Sequence, residues 1–149
     1  MPVIDEELDK LPAICVLKDH YGAFVYANRH MGQWFEEPSG GFSGKTDYHV
    51  MSDEDAAVIR DHDKHVMSTG EQLQAIEYVH ADGVRTGYYV TKFRLSSARR
   101  RFLGVIGIPL PKGAEEETVR WANEWLSENL DFVKTRLKAL LKQPELMLS

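Results

Sequence analysis

An Asp-Gly pair limits what this chain can fold into. Asp82 and Gly83 sit between two runs of alternating polarity, EYVHA before and VRTGYYV after. Asp-Gly supplies the positive φ values of a two-residue hairpin turn, and the β-branched and aromatic residues around it favour strands. The hairpin must belong to a larger sheet. Two further runs, AFVYAN and RRFLGVIGIPL, read as strands, as does AICVLKD, which is apolar on both faces. With QLQAIEYV and RTGYYVTKFRL this makes five strands, two early and three late.

The segments between the two groups read as helices and loop. Asn28 is placed to cap a short helix, RHMGQWFE. EPSGGFSGKTD carries Pro38, Gly40, Gly41 and Gly44, and reads as loop with at most short turns. SDEDAAVIRDHDKHVMSTG is the central helix, with Ser52 and Asp55 in a capping-box pattern and Gly70 at its end. The expected fold is α+β: one five-stranded antiparallel sheet with helices on one face, plus a long C-terminal helix.

That helix begins after Pro109, Pro111 and Gly113, which interrupt the last strand. From Leu126 its apolar positions step by four and three, as in a coiled-coil seam. The seam comprises Val119, Asn123, Leu126, Leu130, Val133, Leu137 and Leu140. A lone Asn within a seam fixes register and strand number, so Asn123 points to a homodimer. The same periodicity also fits a helix lying on its own sheet. The chain thus divides into a helical lead-in at 1–12, a main domain at 13–111 and a linker helix at 112–149. The tail KQPELMLS fits a linker toward an output domain.

Composition excludes several classes. Net charge is −5 over 149 residues, which disfavours direct nucleic-acid binding. No apolar run reaches the roughly 20 residues of a membrane span, and the acidic start MPVIDEELDK lacks a signal-peptide core. The expectation is a cytoplasmic protein. Cys15 is the only cysteine and lies in an apolar run, so it reads as a buried, inert thiol.

The order of these motifs resembles a PAS domain. LPAICVLKDHYGAFVYANRHMGQWF is similar to the family's opening strand, acidic-to-Gly turn and strand ending in Tyr-Ala-Asn. FSGKTDYHVM resembles the Gly-Lys stretch before the long helix, AAVIRDHDKHVMSTGE resembles that helix, and EYVHADGVR resembles the hairpin after it. FLGVIGI resembles the last strand, although the family's closing Asp-Ile-Thr is replaced by Gly107-Ile108-Pro109-Leu110.

The resemblance implies a sensory, signal-transducing module and not an enzyme. It would dimerise and relay the binding of a small ligand or partner to an effector: a kinase, a cyclase or a DNA-binding domain, in two-component signalling or transcription regulation. A ligand-free interaction module is the alternative. A small cone-fold enzyme is a third reading, with Asp47 or Asp63 as its buried acid. Trp34, Tyr48, His49, Met51, His62, Tyr89 and Phe93 are the expected pocket residues. The cost of burying a charge at Lys92 favours Tyr89, Thr91 and Phe93 as the inward set on their strand. The cofactor is left open: a heme held by His62 or His65 is one reading, whereas HDKH lacks further ligands for a metal ion. A flavin-thiol photosensor needs a reactive cysteine on a short helix, and Cys15 lies on a strand instead. The basic turn ARRR reads as a solvated hairpin tip.

Overall fold

The computed structural model describes residues 3–35 and 41–143. The Pro38 and Gly40 portion of the predicted loop and the tail from residue 144 lie outside them. The elements are α1 (Glu6–Asp9), β1 (Ile14–Lys18), β2 (Phe24–Ala27), α2 (Arg29–Phe35), α3 (Asp47–Val50), α4 (Asp53–Thr69), β3 (Leu73–Ala81), β4 (Val84–Ser97), β5 (Arg100–Leu110) and α5 (Glu115–Leu140).

The five strands form one antiparallel sheet in the order β2-β1-β5-β4-β3. Asp82 and Gly83 take φ values of 52° and 76° and close the β3–β4 hairpin, with Ala81 opposite Val84. The second tight turn places Ala98 at φ 54° in the basic tip. α4 starts at Ser52, whose hydroxyl accepts from the Asp55 amide at 3.2 Å, and ends at Gly70 in the left-handed region. The Asp55 carboxylate turns away from the capping box to His80, accepting its backbone N–H at 2.8 Å. This joins the helix to the edge strand.

Two differences from the sequence reading have clear physical causes. Asn28 works through its side chain at a distance: it accepts from the Cys15 amide at 3.0 Å and donates to the Leu8 and Ala13 carbonyls at 3.0 and 2.9 Å. It therefore fastens the lead-in to β1. Tyr48 to Val50, left unassigned beyond the predicted loop, continue from Asp47 as the single-turn helix α3. Its cap is the reciprocal pair of Thr46 and His49, with the Thr46 amide donating to His49 Nδ1 at 2.9 Å.

The sheet is covered on both faces. α2 and α4 help cover one, with Met31, Ile59 and Val66 in the same core as Ile14, Val16, Val90 and Val105. α5 lies against the other, packing on Cys15, Leu17, Phe93, Phe102, Ile106 and Ile108. The heptad-like seam is thus used within the chain. Leu126, Val133, Leu137 and Leu140 are buried against their own sheet, and Leu130 is partly buried there. Val119 is half-buried. Asn123 accepts a hydrogen bond from the Tyr89 hydroxyl at 2.7 Å, so its partner is a strand residue. Gly104 is required on this face: a Cβ there would lie 2.3 Å from the Phe93 ring. At the far end Arg136 donates to Asp5 at 2.7 Å, tying α5 to the lead-in.

Leu137→Ala should lower the unfolding free energy of a single subunit by about 2–5 kcal/mol, because it opens a cavity under α5. Urea denaturation at several protein concentrations checks this. A loss that appeared only in self-association, with subunit stability unchanged, would return the residue to an intermolecular seam.

Candidate functional site

Alternation along each strand assigns side chains to the two faces. On β4, Tyr88, Val90 and Lys92 face the helices α2 and α4, and Tyr89 and Phe93 face α5. The sequence expectation had the opposite parity. It failed because Lys92 is fully buried yet matched with carboxylates. A buried charge is costly alone and much less so when paired and hydrogen-bonded.

Five ionic side chains meet beneath the sheet. Lys18 Nζ donates to both oxygens of Asp47, at 3.0 and 2.9 Å, and to Asp63 Oδ2 at 2.9 Å. Lys92 Nζ donates to Asp63 Oδ1 at 2.6 Å and pairs with Glu77. Asp63 thus bridges two ammonium groups, one oxygen to each. His62 Nδ1 lies 2.8 Å from Glu77 Oε2, and Arg60 approaches Asp63 Oδ2 at 3.7 Å. Three carboxylates face two ammoniums and a guanidinium, so the cluster is close to neutral. Asp63 is placed for this by helix phase. It shares a stripe of α4 with Ile59 and Val66, four before it and three after, both buried.

Burial alone would raise the Asp63 pKa, but Lys18 and Lys92 outweigh it and hold the carboxyl below its ordinary 3.8. Burial alone would lower the Lys18 pKa, but Asp63 and Asp47 outweigh it and hold the ammonium above its ordinary 10.5. Both groups are therefore charged at neutral pH. An acid catalyst needs a raised carboxyl pKa, and Asp63 has the reverse.

A cavity of about 60 Å³ adjoins this cluster. That is several times the ~10–15 Å³ needed to admit one water. Lys18, Asp47, Glu77 and Lys92 form its charged end, and Tyr88, Val90 and Val105 belong to its mostly apolar wall. Met31, Phe35 and Met51 contribute from the helical side. Tyr88 stacks on Phe35 and meets Trp34 edge-on, and burial raises its hydroxyl pKa.

Of the expected pocket residues, Met51 lines the cavity, and His62 reaches it only through Glu77. Trp34 and Tyr48 are half-exposed outside it. His49 caps α3. Tyr89 and Phe93 lie under α5 on the opposite face. Sequence reasoning missed Lys18, Glu77, Tyr88, Val90 and Lys92 as cavity residues. The available signal was charge on apolar stripes: Lys18 closes an apolar strand and Asp63 interrupts an apolar helix face.

A porphyrin does not fit a cavity of this size, and His65 is exposed. Among the described residues, no three His, Cys, Asp or Glu side chains converge as a metal-binding group. Cys15 lies on the α5 side, where burial, then the charges of Asp5 and Asp9, push its thiol pKa far up. Among the described residues, no helix is long and apolar enough to cross a membrane.

A family model for the PAS fold matches residues 8–110. The chain belongs to the PAS family. Solved structures share the fold. The Vibrio cholera VqmA–ligand–DNA complex is 22% identical with a TM-score of 0.65, and the match covers 80% of this chain and 55% of that one. The Rhodobacter sphaeroides LOV protein is 14% identical with a TM-score of 0.68, covering 94% and 86%. The Cronobacter turicensis RpfR quorum-sensing receptor PAS domain in complex with C12:0 is 14% identical with a TM-score of 0.56, covering 68% and 97%. The match spans only about half the length of VqmA. A search of curated proteins gave no match.

Asp63→Asn should destabilise the fold by roughly 3–5 kcal/mol, because two buried ammoniums lose a shared counter-charge. The pH dependence follows from the same residue. Its depressed pKa gives stability that is present above the ordinary value of 3.8 and lost as pH falls through the lower folded value. Denaturant titrations between neutral and strongly acidic pH should show this loss in the wild type and a shallower loss in the variant. Equal stability of the two proteins at neutral pH would contradict the assignment.

Proposed function

We propose that this chain is a sensory PAS module that binds a small organic molecule in the cavity between the sheet and α2–α4 and passes the bound state to α5. The observation that carries the reading is the mixed lining of that cavity, an apolar wall closed by a built ionic end. Ligand sites combine apolar enclosure with a few fixed polar groups in this way. The relatives support it: VqmA and the RpfR domain are described in complex with small molecules.

The lining also suggests a ligand class. The ionic end is nearly balanced, so a net charge on the ligand would leave one charge uncompensated. The ligand would be compact, mostly apolar and uncharged, with a polar group that both donates and accepts. Met31 and Met51 give the helical wall room to adjust, since unbranched thioethers repack at little cost.

The route to α5 runs through the strands. Tyr88 and Val90 touch the cavity, while Tyr89 between them donates to Asn123 on α5. On β5, Val105 and Gly107 face the cavity and Ile106 and Ile108 face α5. A shift of either strand therefore acts on both faces. The downstream effector would be joined through this helix; VqmA's complex with DNA makes a DNA-binding partner domain one form it takes.

Native mass spectrometry of protein purified from bacterial cells, with a thermal-shift screen of small uncharged alcohols, amides and hydroxylated heteroaromatics, tests the proposal. A stoichiometric adduct, or a melting rise of about 5–10 °C at a hundredfold excess over Kd, is expected. Gly107→Leu should fold and lose the response, because the nearest side-chain atoms to an added Cβ lie at 3.8 Å and the rest of the side chain fills the cavity. A wild type with neither adduct nor shift would favour an interaction module without a ligand.

A further inference from the structure

β4 continues past the end of its neighbour. β5 leaves the sheet at Leu110, opposite Gly87, while Val84, Arg85 and Thr86 go on pairing with β3. Pro111 follows Leu110 and has no N–H to extend the ladder, and Gly113 at φ 87° turns the chain toward α5.

The register fixes where the backbone of this overhang points. The Cys15 N–H donates to the Asn28 side-chain oxygen at 3.0 Å, and the Cys15 carbonyl accepts from the Asn28 N–H at 2.9 Å, so Cys15 bonds toward β2. Ile14 and Val16 then bond toward β5, and alternation carries the pattern across the sheet. Gly107 and Val105 bond toward β1, Ile108 and Leu110 toward β4, and Tyr89 and Gly87 back toward β5. Arg85 is in phase with Gly87. Its N–H and C=O therefore face the side that β5 has left, with no strand opposite them.

A groove of about 540 Å³ lies there, within the size range of small-molecule sites. Trp34 from α2 and Trp121 from α5 give it aromatic surface, and Leu110 and Pro111 give it aliphatic surface. Its two charged lining residues are both basic, Arg85 and Lys112, and the acidic first turn of α5, Glu115 to Glu117, does not line it. The Arg85 guanidinium lies over the Tyr78 ring, 3.6 Å from its centroid, which orients the side chain at the groove's edge. Apolar walls, uncompensated positive charge and one backbone donor–acceptor pair select an organic anion with a flat apolar body and a donor of its own. The inner cavity differs in both size and charge: it is about 60 Å³, and its ionic end is nearly balanced.

We propose that this outer groove is a second binding site, for a small aromatic carboxylate that also carries an N–H or O–H donor. The carboxylate meets Arg85 and Lys112, and the donor is taken by the Arg85 carbonyl. The occupant touches α2, β4, β5 and the first turns of α5 together, and so holds the start of α5 to the sheet. The site does not depend on a ligand in the inner cavity. Trp34 stands between the two, since it also meets Tyr88 edge-on, with ring centroids 6.1 Å apart.

Indoleacetate, its neutral amide indoleacetamide and its cationic counterpart tryptamine share one aromatic body and one ring N–H, and serve as probes. Calorimetric titration of the full chain should give indoleacetate a Kd of about 1 mM or tighter, weakening with salt. Indoleacetamide should bind at least about fivefold more weakly, and tryptamine more weakly still. Amide NMR should show the indole N–H signals of Trp34 and Trp121 and the Arg85 amide moving with saturation. Arg85→Glu and Lys112→Glu should each weaken indoleacetate about fivefold or more without loss of fold, since both side chains are exposed. Gly107→Leu, which fills the inner cavity, should leave indoleacetate binding unchanged, so the two sites fail separately. No saturation below about 10 mM would overturn the proposal. So would equal affinity for the three probes, or binding lost in Gly107→Leu. Saturation by a peptide with a free terminal carboxylate, but not by indoleacetate, would overturn it in favour of a protein partner.

Discussion

Asp63 holds this structure together from the middle. Its two oxygens take one ammonium each, Lys18 from β1 and Lys92 from β4, and it reaches them from α4. Asp47 adds α3 through Lys18, and Glu77 adds β3 through Lys92. Five elements of the chain are thus fixed to one another through charges that water scarcely reaches. Such clusters seldom exceed well-packed hydrocarbon in net stability. Their effect is positional: removing one member strands the others, so the helices have one seating on the sheet. The cavity sits at the edge of that seating and inherits its shape and its polar end from it.

The two faces of the sheet have different partners. The inner face meets the short helices, the ionic cluster and the cavity. The outer face meets α5 and the lead-in, closed by Arg136 on Asp5 and by Asn28 on the Leu8 and Ala13 carbonyls. Because β-strand side chains alternate, neighbouring residues of β4 and β5 touch opposite sides. In the proposed reading, a displacement of either strand would be felt on both sides and would carry a change at the cavity to α5.

Much of this was legible in the sequence, and the failures have definite sources. The hairpin at Asp82-Gly83, the cap at Ser52 and the stop at Gly70 follow from local backbone chemistry, which a single sequence carries. The face assignment of β4 failed at Lys92, because a partner such as Asp63 is 29 residues away and invisible to local pattern. The seam failed differently. A step of fours and threes records that one helix face is apolar, and a sheet satisfies that face as well as a second helix does. Asn123 looked like a register device for a coiled coil, and its hydrogen bond goes to Tyr89. The pocket list leaned toward large aromatics, whereas the cavity is walled mainly by aliphatic strand residues and closed by ions.

The most direct test of this account is the state of the two buried lysines in solution. Heteronuclear NMR that observes the Nζ protons of Lys18 and Lys92 at neutral pH reads their charge, their exchange with water and their contacts. Two ammonium signals are expected, protected from exchange and both responding to Asp63→Asn, with Lys18 remaining charged above the ordinary lysine pKa of 10.5. Neutral amines, or ammoniums exchanging as fast as surface lysines and indifferent to Asp63, would contradict it.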